Sequence, residues 1–178
     1  MAKADRRTID KIFVLLGVVT TVVLLVVGGL SWYAFRFADN TVRTELSSQK
    51  IYFPPKGSPA LDPAEFPDLQ QYAGQLVDNG AKAKAYANGF IGRHLEKVAG
   101  GKTYSEVSTL ALQDPTNATL QKQKSTLFQG ETLRGLLLGD GYAYWTFGQI
   151  AEYAALTAFV ATGVMAVLVL LGLRRVMR

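Results

Sequence analysis

Cysteine is absent from this chain of 178 residues, and histidine occurs once, at His94. Without cysteine no disulfide can cross-link the chain, and a structural zinc site usually takes four nitrogen or sulfur ligands. A Ser–His–Asp or Cys–His catalytic site needs this one imidazole in a specific place. We therefore expect no catalytic residue, no metal and no other cofactor, and we predict that the protein is not an enzyme.

Charged side chains are missing from two long apolar runs, at residues 12–35 and 153–173. A helix rises ~1.5 Å per residue, so runs of this length can cross a hydrocarbon core of ~30 Å. They predict transmembrane helices at residues 12–35 and 149–173. A cleaved signal peptide is the alternative for the first run. That run is longer than a signal core, however, and no small-residue cleavage site follows it.

The net charge of +5 lies in the two short tails. Residues 1–11 carry a net charge of +2, residues 174–178 carry +3, and the segment 36–152 is neutral. Because Lys and Arg are enriched in cytoplasmic segments, both tails are predicted to be cytoplasmic and the middle extracytoplasmic. Aromatic rings prefer the headgroup level, and they gather at the predicted outer ends of both runs: Trp32, Tyr33, Phe35, Phe37, Tyr142, Tyr144, Trp145, Phe147 and Tyr153.

Proline is concentrated in one part of the predicted extracytoplasmic domain, residues 36–148. Five of the six prolines fall within residues 54–67. Proline lacks a donor and disfavours helical geometry in the residue before it. The segment 51–67 is therefore predicted to be an ordered loop, neither helix nor central strand.

Apolar periodicity and turn residues predict helices through the rest of this domain, at residues 69–77, 81–99, 103–113 and 116–138. Gly100 is the expected C-cap of the second helix, and Thr103 with Glu106 forms a capping box for the third. A turn towards the membrane is expected at Gly139-Asp140-Gly141. The fold class is thus a mostly α membrane protein: a two-helix transmembrane hairpin with a small α-helical extracytoplasmic domain inserted between the spans.

Small residues recur every four positions in the second run, at Ala154, Ala158, Thr162 and Ala166. Small side chains let helix backbones approach closely in a membrane. These residues form the candidate helix-packing face. The face packs either within the hairpin or against a helix of another protein.

Two glycines bracket an oppositely charged i,i+3 pair in Gly130-Glu131-Thr132-Leu133-Arg134-Gly135. Glycine inside a helix costs ~1 kcal/mol relative to alanine, which favours close backbone packing here. Glu131 and Arg134, with Tyr52 and Phe53 of the proline-rich loop, form the candidate surface for a partner or ligand. A self-contained helical pair is the alternative for the glycine-bracketed segment.

The neutral middle segment and the sparse lysines at Lys122 and Lys124 predict no nucleic-acid binding. We expect a non-catalytic integral membrane protein that acts as an accessory or scaffolding subunit of a larger membrane assembly. The alternative is an extracytoplasmic sensor or a small-ligand-binding membrane protein. The expected partners are the lipid bilayer and either a membrane-protein partner or a second copy of this chain.

Three segments, at residues 51–57, 99–104 and 130–137, resemble an uncharacterised family of small actinobacterial two-span membrane proteins. The resemblance extends over most of the chain, including both spans. It implies an actinobacterial plasma membrane with the central domain on the cell-wall side. Similar sequences sometimes carry an aromatic-ring-opening dioxygenase label. Such iron sites usually need two histidines and a carboxylate, which this chain with its single histidine does not supply.

Overall fold

The structure, a computed structural model, describes residues 6–177. The chain is 83% helical, and no strand occurs within the described residues. The chain forms two compact units. The two-helix unit contains the chain up to Phe37 and again from Phe147 onward, and the central domain contains Ala38–Thr146. The predicted tails, 1–11 and 174–178, lie partly outside the described residues.

The two-helix unit is built from α1 (Arg6–Ser48) and α6 (Tyr144–Met177). Both belong to helices long and apolar enough to cross a membrane, and only 11% of each apolar window is buried. A core helix of a soluble protein is apolar because it is buried, so this exposure fits a surface that faces lipid. α1 continues beyond the apolar run 12–35 and ends at Ser48.

The less exposed positions of α1 and α6 follow alternating steps of three and four residues. On α1 they include Val14, Gly17, Thr21, Leu24, Gly28, Ser31 and Phe35, and on α6 Gly148, Ala151, Ala155, Ala158, Thr162, Met165, Val169 and Gly172. This spacing averages 3.5 residues, the repeat that keeps one seam of a helix facing its neighbour. A Cβ added at Gly17 would lie 2.8 Å from Val169 Cγ2, so the two helices pack closely along this seam.

The central domain combines the end of α1 with shorter helices and two π-helical segments. In chain order these are α2 (Gly80–Lys84), a first π segment (Ala85–Gly92), α3 (Arg93–Ala99), α4 (Tyr104–Gln113), α5 (Ala118–Leu136) and a second π segment (Leu137–Ala143). Its core is apolar, and the fully buried side chains include Phe53, Leu61, Leu69, Val77, Val107, Leu127 and Leu137. The domain therefore has a hydrophobic core of its own.

The helix ends of the central domain follow the local sequence closely. Gly100 adopts a left-handed conformation with φ of 59° after α3, which confirms the predicted C-cap. Thr103 and Glu106 form the predicted capping box of α4, with the Thr103 N–H donating to Glu106 Oε2 at 2.7 Å. Asn79 and Asn117 accept from the backbone at the starts of α2 and α5. Capping residues were thus reliable guides to where helices begin and end.

The prediction of a helix at residues 69–77 is wrong. A short 3₁₀ helix covers Pro67–Tyr72, and the chain then runs extended beside the proline-rich loop. The Phe53 N–H donates to the Gln75 carbonyl at 2.9 Å, and the Val77 N–H donates to the Ile51 carbonyl at 2.8 Å. Pairing with a segment more than twenty residues earlier satisfies this backbone, a non-local outcome that local periodicity does not register.

The turn predicted at Gly139-Asp140-Gly141 is also wrong, because the second π segment carries the helix through it. Gly141 is buried, and a Cβ added there would lie 3.1 Å from the Ala83 side chain. The glycine thus serves close packing against α2 rather than a change of direction.

The ordered loop predicted at residues 51–67 is confirmed in outline, with one short 3₁₀ turn at Pro59–Leu61. Three of its apolar side chains, Phe53, Leu61 and Phe66, are buried in the core. Ser58 caps the short turn by accepting from the Ala60 N–H at 3.2 Å. Buried anchors and local caps together hold the segment against the domain.

Candidate functional site

The two aromatic residues of the candidate surface in the proline-rich loop lie in different environments. Tyr52 is 55% exposed, whereas Phe53 is 1% exposed and lies in the core. The Phe53 ring stacks on Tyr72 with centroids 5.2 Å apart and meets the edge of Tyr86 at 5.0 Å. Tyr52 is therefore a surface side chain, while Phe53 anchors the loop in the core.

Tyr86 and Phe90, on the first π segment, continue this aromatic cluster inside the domain. Their centroids lie 5.0 Å apart, and Phe90 is 5.8 Å from Phe66. Burial raises the pKa of the Tyr86 hydroxyl, because the phenolate would lose its hydration. Both rings are half-buried and pack against the hydrophobic core.

Glu131 and Arg134 form the ion pair that their i,i+3 spacing predicts, with both Glu131 oxygens within 3.0 Å of Arg134 Nη1. Arg134 Nη2 also donates to Asn88 Oδ1 on the first π segment, at 3.2 Å. The Nε of Arg134 is buried and has no hydrogen-bond partner among residues 6–177. The guanidinium therefore joins α5 to the first π segment, and these contacts lie within the central domain.

The two glycines that bracket this pair differ in their surroundings. A Cβ added at Gly130 would lie 2.5 Å from Leu95 Cδ2, whereas a Cβ added at Gly135 would meet nothing within 4 Å. Close packing on α3 thus requires glycine at 130 only. Gly135 has no such packing role.

A groove of about 450 Å³ lies beside the first π segment, between it and the 3₁₀ helix Pro67–Tyr72. Its polar wall includes Asp68, Tyr72, Lys84, Asn88 and Arg93. π-helical segments occur frequently at functional sites. No sequence pattern pointed to this groove.

Two charged side chains of this groove, Asp68 and Arg93, are paired with each other. Arg93 binds the two Asp68 oxygens at 2.8 and 2.9 Å, and it also donates to the Glu65 carbonyl at 3.1 Å. The hydrogen bonds from Arg93 lower the pKa of the Asp68 carboxyl below 3.8, and the same contact raises the pKa of Arg93. Both groups stay ionised at neutral pH, so the pair suits electrostatic recognition better than proton transfer.

Lys84 closes one end of the groove against the second π segment. Its Nζ donates to the Tyr142 hydroxyl at 3.1 Å and lies 4.5 Å from the centroid of the Tyr142 ring. The hydrogen bond from Lys84 lowers the pKa of Tyr142, since the nearby cation stabilises the phenolate. Lys84 is the cation of this groove that has no carboxylate partner among the described ion pairs.

His94 lies away from this groove, in a shallow depression shared with Glu65, Phe66, Phe90 and Lys97. Lys97 forms an ion pair with Glu65 at the same place. Within residues 6–177, no group of three His, Cys, Asp or Glu side chains is arranged to hold a metal ion.

The candidate helix-packing face on α6 is only partly turned towards α1. Ala158 is buried, Thr162 and Ala166 are half-buried, and Ala154 is exposed. An α-helix has 3.6 residues per turn, so positions spaced four residues apart move progressively away from one face of the helix. The positions of the seam are spaced 3.5 residues apart on average and stay on one face. Ala154 thus lies beside the seam, on the outer surface of the hairpin.

Comparisons of the chain with protein-family models, curated proteins and solved structures give no match.

Proposed function

We propose that this chain is a non-catalytic integral membrane protein that serves as an accessory or scaffolding subunit of a larger membrane assembly. In this proposal α1 and α6 span the plasma membrane, both termini are cytoplasmic and the central domain is extracytoplasmic. The resemblance to small actinobacterial two-span membrane proteins agrees with it. The observation that carries the proposal is the exposure of two long apolar helices that bury only 11% of their most apolar windows.

Charge and aromatic side chains support the membrane topology. The positive charge at both ends of the chain favours cytoplasmic termini. Tyr33, Phe37, Phe147 and Tyr153 are exposed on the two-helix unit, at the opposite ends of its helices from the basic tails. Exposed rings of this kind are stabilised at the headgroup level, where the ring is apolar and its polar tip is hydrated.

The surface of the central domain supports an interaction role. Phe128 and Leu136 on α5 are 57% and 54% exposed, and their spacing of eight residues puts them on similar faces of the helix. Leu112, near the end of α4, is also strongly exposed. Large apolar side chains left in solvent favour a covering partner.

The groove beside the first π segment supports the second candidate function, an extracytoplasmic binder of a small ligand. Lys84 and Asn88 offer donors there, and Asp68 and Arg93 offer both charges. Such a mixture suits a polar, uncharged or zwitterionic molecule. Signalling through a partner in the membrane would then follow from binding.

Co-purification tests the subunit proposal. The chain is tagged at its C-terminus, extracted from its native membrane in mild detergent, and its stoichiometric companions are identified by mass spectrometry. A defined membrane complex supports the proposal, and companions lost from a Phe128→Ser, Leu136→Ser double variant would assign the contact to α5. A lone monomer or homodimer rejects it in favour of the ligand binder.

Topology is tested by single cysteines, since the chain contains none. A membrane-impermeant maleimide should label Lys122→Cys in intact cells and Thr8→Cys only after permeabilisation. Both positions are exposed, which makes them a matched pair. The reverse pattern would overturn the assignment of sides.

A further inference from the structure

An apolar groove of about 300 Å³ lies within the two-helix unit, between the first turns of α1 and the last turns of α6. Its apolar wall is formed by Phe13, Val14, Gly17, Met165, Leu168 and Gly172. Phe13 and Leu168 are exposed, so the groove opens at the side of the hairpin. An elongated apolar group can enter it laterally.

Two glycines account for the shape of this groove. A Cβ added at Gly172 would lie 2.8 Å from Val14 Cγ2, and one added at Gly17 would lie 2.8 Å from Val169 Cγ2. At both points a glycine packs directly against a valine side chain of the other helix and adds no side chain of its own. The remaining space forms a trough of about 300 Å³ beside the seam.

One end of the groove carries an ion pair. Arg175 Nε lies 3.3 Å from Asp10 Oδ2, and the Arg175 side chain is 61% exposed. A guanidinium has five N–H donors, so contact through Nε leaves the Nη groups able to bind a second anion. Bidentate binding of phosphate is the interaction that this group suits best.

Further cations lie beside this end in the sequence, at Lys11 and Arg174, and no Asp or Glu follows Glu152. Among residues 6–177, Asp10 is the carboxylate that pairs with Arg175. Basic sites between transmembrane helices on the cytoplasmic side favour anionic lipid headgroups.

We infer that this groove binds one anionic phospholipid, with its phosphate on Arg175 and an acyl chain along Phe13 and Leu168. The inference rests on the proposed function, because it requires α1 and α6 to span a bilayer. It goes beyond that function in naming a ligand class and a site. The narrow apolar trough with a cation at one end matches the two parts of a phospholipid.

The test uses the full-length protein in mild detergent, titrated with phosphatidylglycerol or with phosphatidylcholine of the same acyl chains, with binding followed by native mass spectrometry. Phosphatidylglycerol should be retained preferentially. Arg175→Gln should weaken its binding about fivefold, the effect of losing one cation near the headgroup. Arg174→Gln, the matched control of equal charge change outside the groove lining, should change binding by less than about twofold.

Two further variants separate the parts of the site. Asp10→Asn should strengthen phosphatidylglycerol binding, because the competing carboxylate is gone while Arg175 remains. Leu168→Trp should weaken binding of both lipids by filling the trough. Glycerol 3-phosphate, which lacks acyl chains, should not displace the bound lipid.

Equal retention of the two lipids, or equal effects of Arg174→Gln and Arg175→Gln, would overturn the inference. Displacement by glycerol 3-phosphate would do the same, because the groove would then contribute nothing. A failure of the proposed function can be distinguished from a failure of the lipid site. If the chain does not span the membrane, alkaline carbonate will release it from its native membrane. A chain that resists carbonate and shows no phosphatidylglycerol preference rejects the lipid site alone.

Discussion

Individual residues of the central domain differ in what they contribute even where the sequence presents them as equivalent. Gly130 and Gly135 flank the same ion pair, yet only Gly130 contacts another helix. Tyr52 and Phe53 are neighbours, yet one is exposed and the other is fully buried. The ion pair of Glu131 with Arg134 was predictable from its spacing, because both side chains lie on one helix. The contact of Arg134 with Asn88 was not predictable, because it joins residues 46 positions apart in the sequence.

Gly130→Ala is expected to destabilise the central domain, and Gly135→Ala to leave it unchanged or slightly more stable. The new methyl at 130 forces Leu95 out of its position, and overpacking of this kind costs about 1–3 kcal/mol. At 135 the methyl meets open space and gains helix propensity of up to ~1 kcal/mol. Thermal unfolding of the two variants in the same detergent measures the difference. Equal melting temperatures would contradict the close contact on α3.

The ion pair of Asp68 with Arg93 is expected to stabilise the domain in a pH-dependent way. The pKa of Asp68 is lowered by the Arg93 hydrogen bonds, so its stabilisation is complete above the ordinary value of 3.8. The stabilisation is lost as the pH falls through the lower, folded-state pKa. Asp68→Asn should therefore melt below the unmodified chain at pH 6, with the gap closing at the acid end of the range.

Asp140→Asn provides the control for this experiment. Asp140 is exposed and takes part in no salt bridge among residues 6–177. Its melting temperature should track that of the unmodified chain across the same pH range. A gap for Asp68→Asn that stays constant with pH would show that the lost stability comes from shape and not from charge.

At the scale of helices, sequence signals were reliable where they act locally. The two apolar runs, the capping box at Thr103 and the C-cap at Gly100 depend on residues within a few positions of one another. The conformation of residues 69–77, where a helix was wrongly predicted, depends on pairing with the proline-rich loop. The groove beside the first π segment likewise depends on residues that are distant in the sequence. The π segments have no compositional signature, because an extra residue per turn is imposed by packing. Small residues in the second apolar run were recognised, but only Ala158 and Thr162 of the four lie on the seam, which advances by steps of three and four residues.

Gly28 and Gly29 provide a direct test of this seam. A Cβ added at Gly28 would lie 2.8 Å from the Phe159 ring, whereas one added at Gly29 would meet nothing within 4 Å. Gly28→Val should separate α1 from α6 and lower the melting temperature, with a cost of about 1–3 kcal/mol. Gly29→Val carries the same β-branched change in the same helix and should have little effect. Equal effects would indicate that the seam lies elsewhere.

At the scale of the whole molecule, the chain combines two units with different chemistry. The two-helix unit exposes its apolar residues, whereas the central domain buries a set of large apolar side chains and pairs its charges. Because the chain has no cysteine, no disulfide stabilises either unit. The central domain depends on its apolar core for stability, and the two-helix unit depends on the environment around its exposed apolar side chains. This division follows from where apolar residues lie in the sequence. The residues that line the groove beside the first π segment could not be predicted to meet, since they come from two separate stretches, 68–72 and 81–93, that only the fold brings together.

The central domain is expected to fold without the two-helix unit. A fragment of residues 38–146 contains the whole buried cluster, including Val42 and Leu46 from the end of α1. It should be helical by circular dichroism and unfold cooperatively on heating. A fragment of residues 50–146, which lacks both of those side chains, should be less stable. If the longer fragment were to bind hydrophobic dyes and melt without cooperativity, the domain would be shown to need its membrane helices.

Close packing of Trp145 against Gly80 in the central domain gives the protein a built-in spectroscopic probe. The chain has two tryptophans, and the other, Trp32, lies on α1 in the two-helix unit. Each unit thus carries one indole whose emission depends on its own surroundings. With Trp32 replaced by phenylalanine, a shift of the remaining fluorescence reports unfolding or ligand binding in the central domain alone. With Trp145 replaced by phenylalanine instead, the remaining fluorescence reports the surroundings of Trp32, so the two variants follow the two units separately.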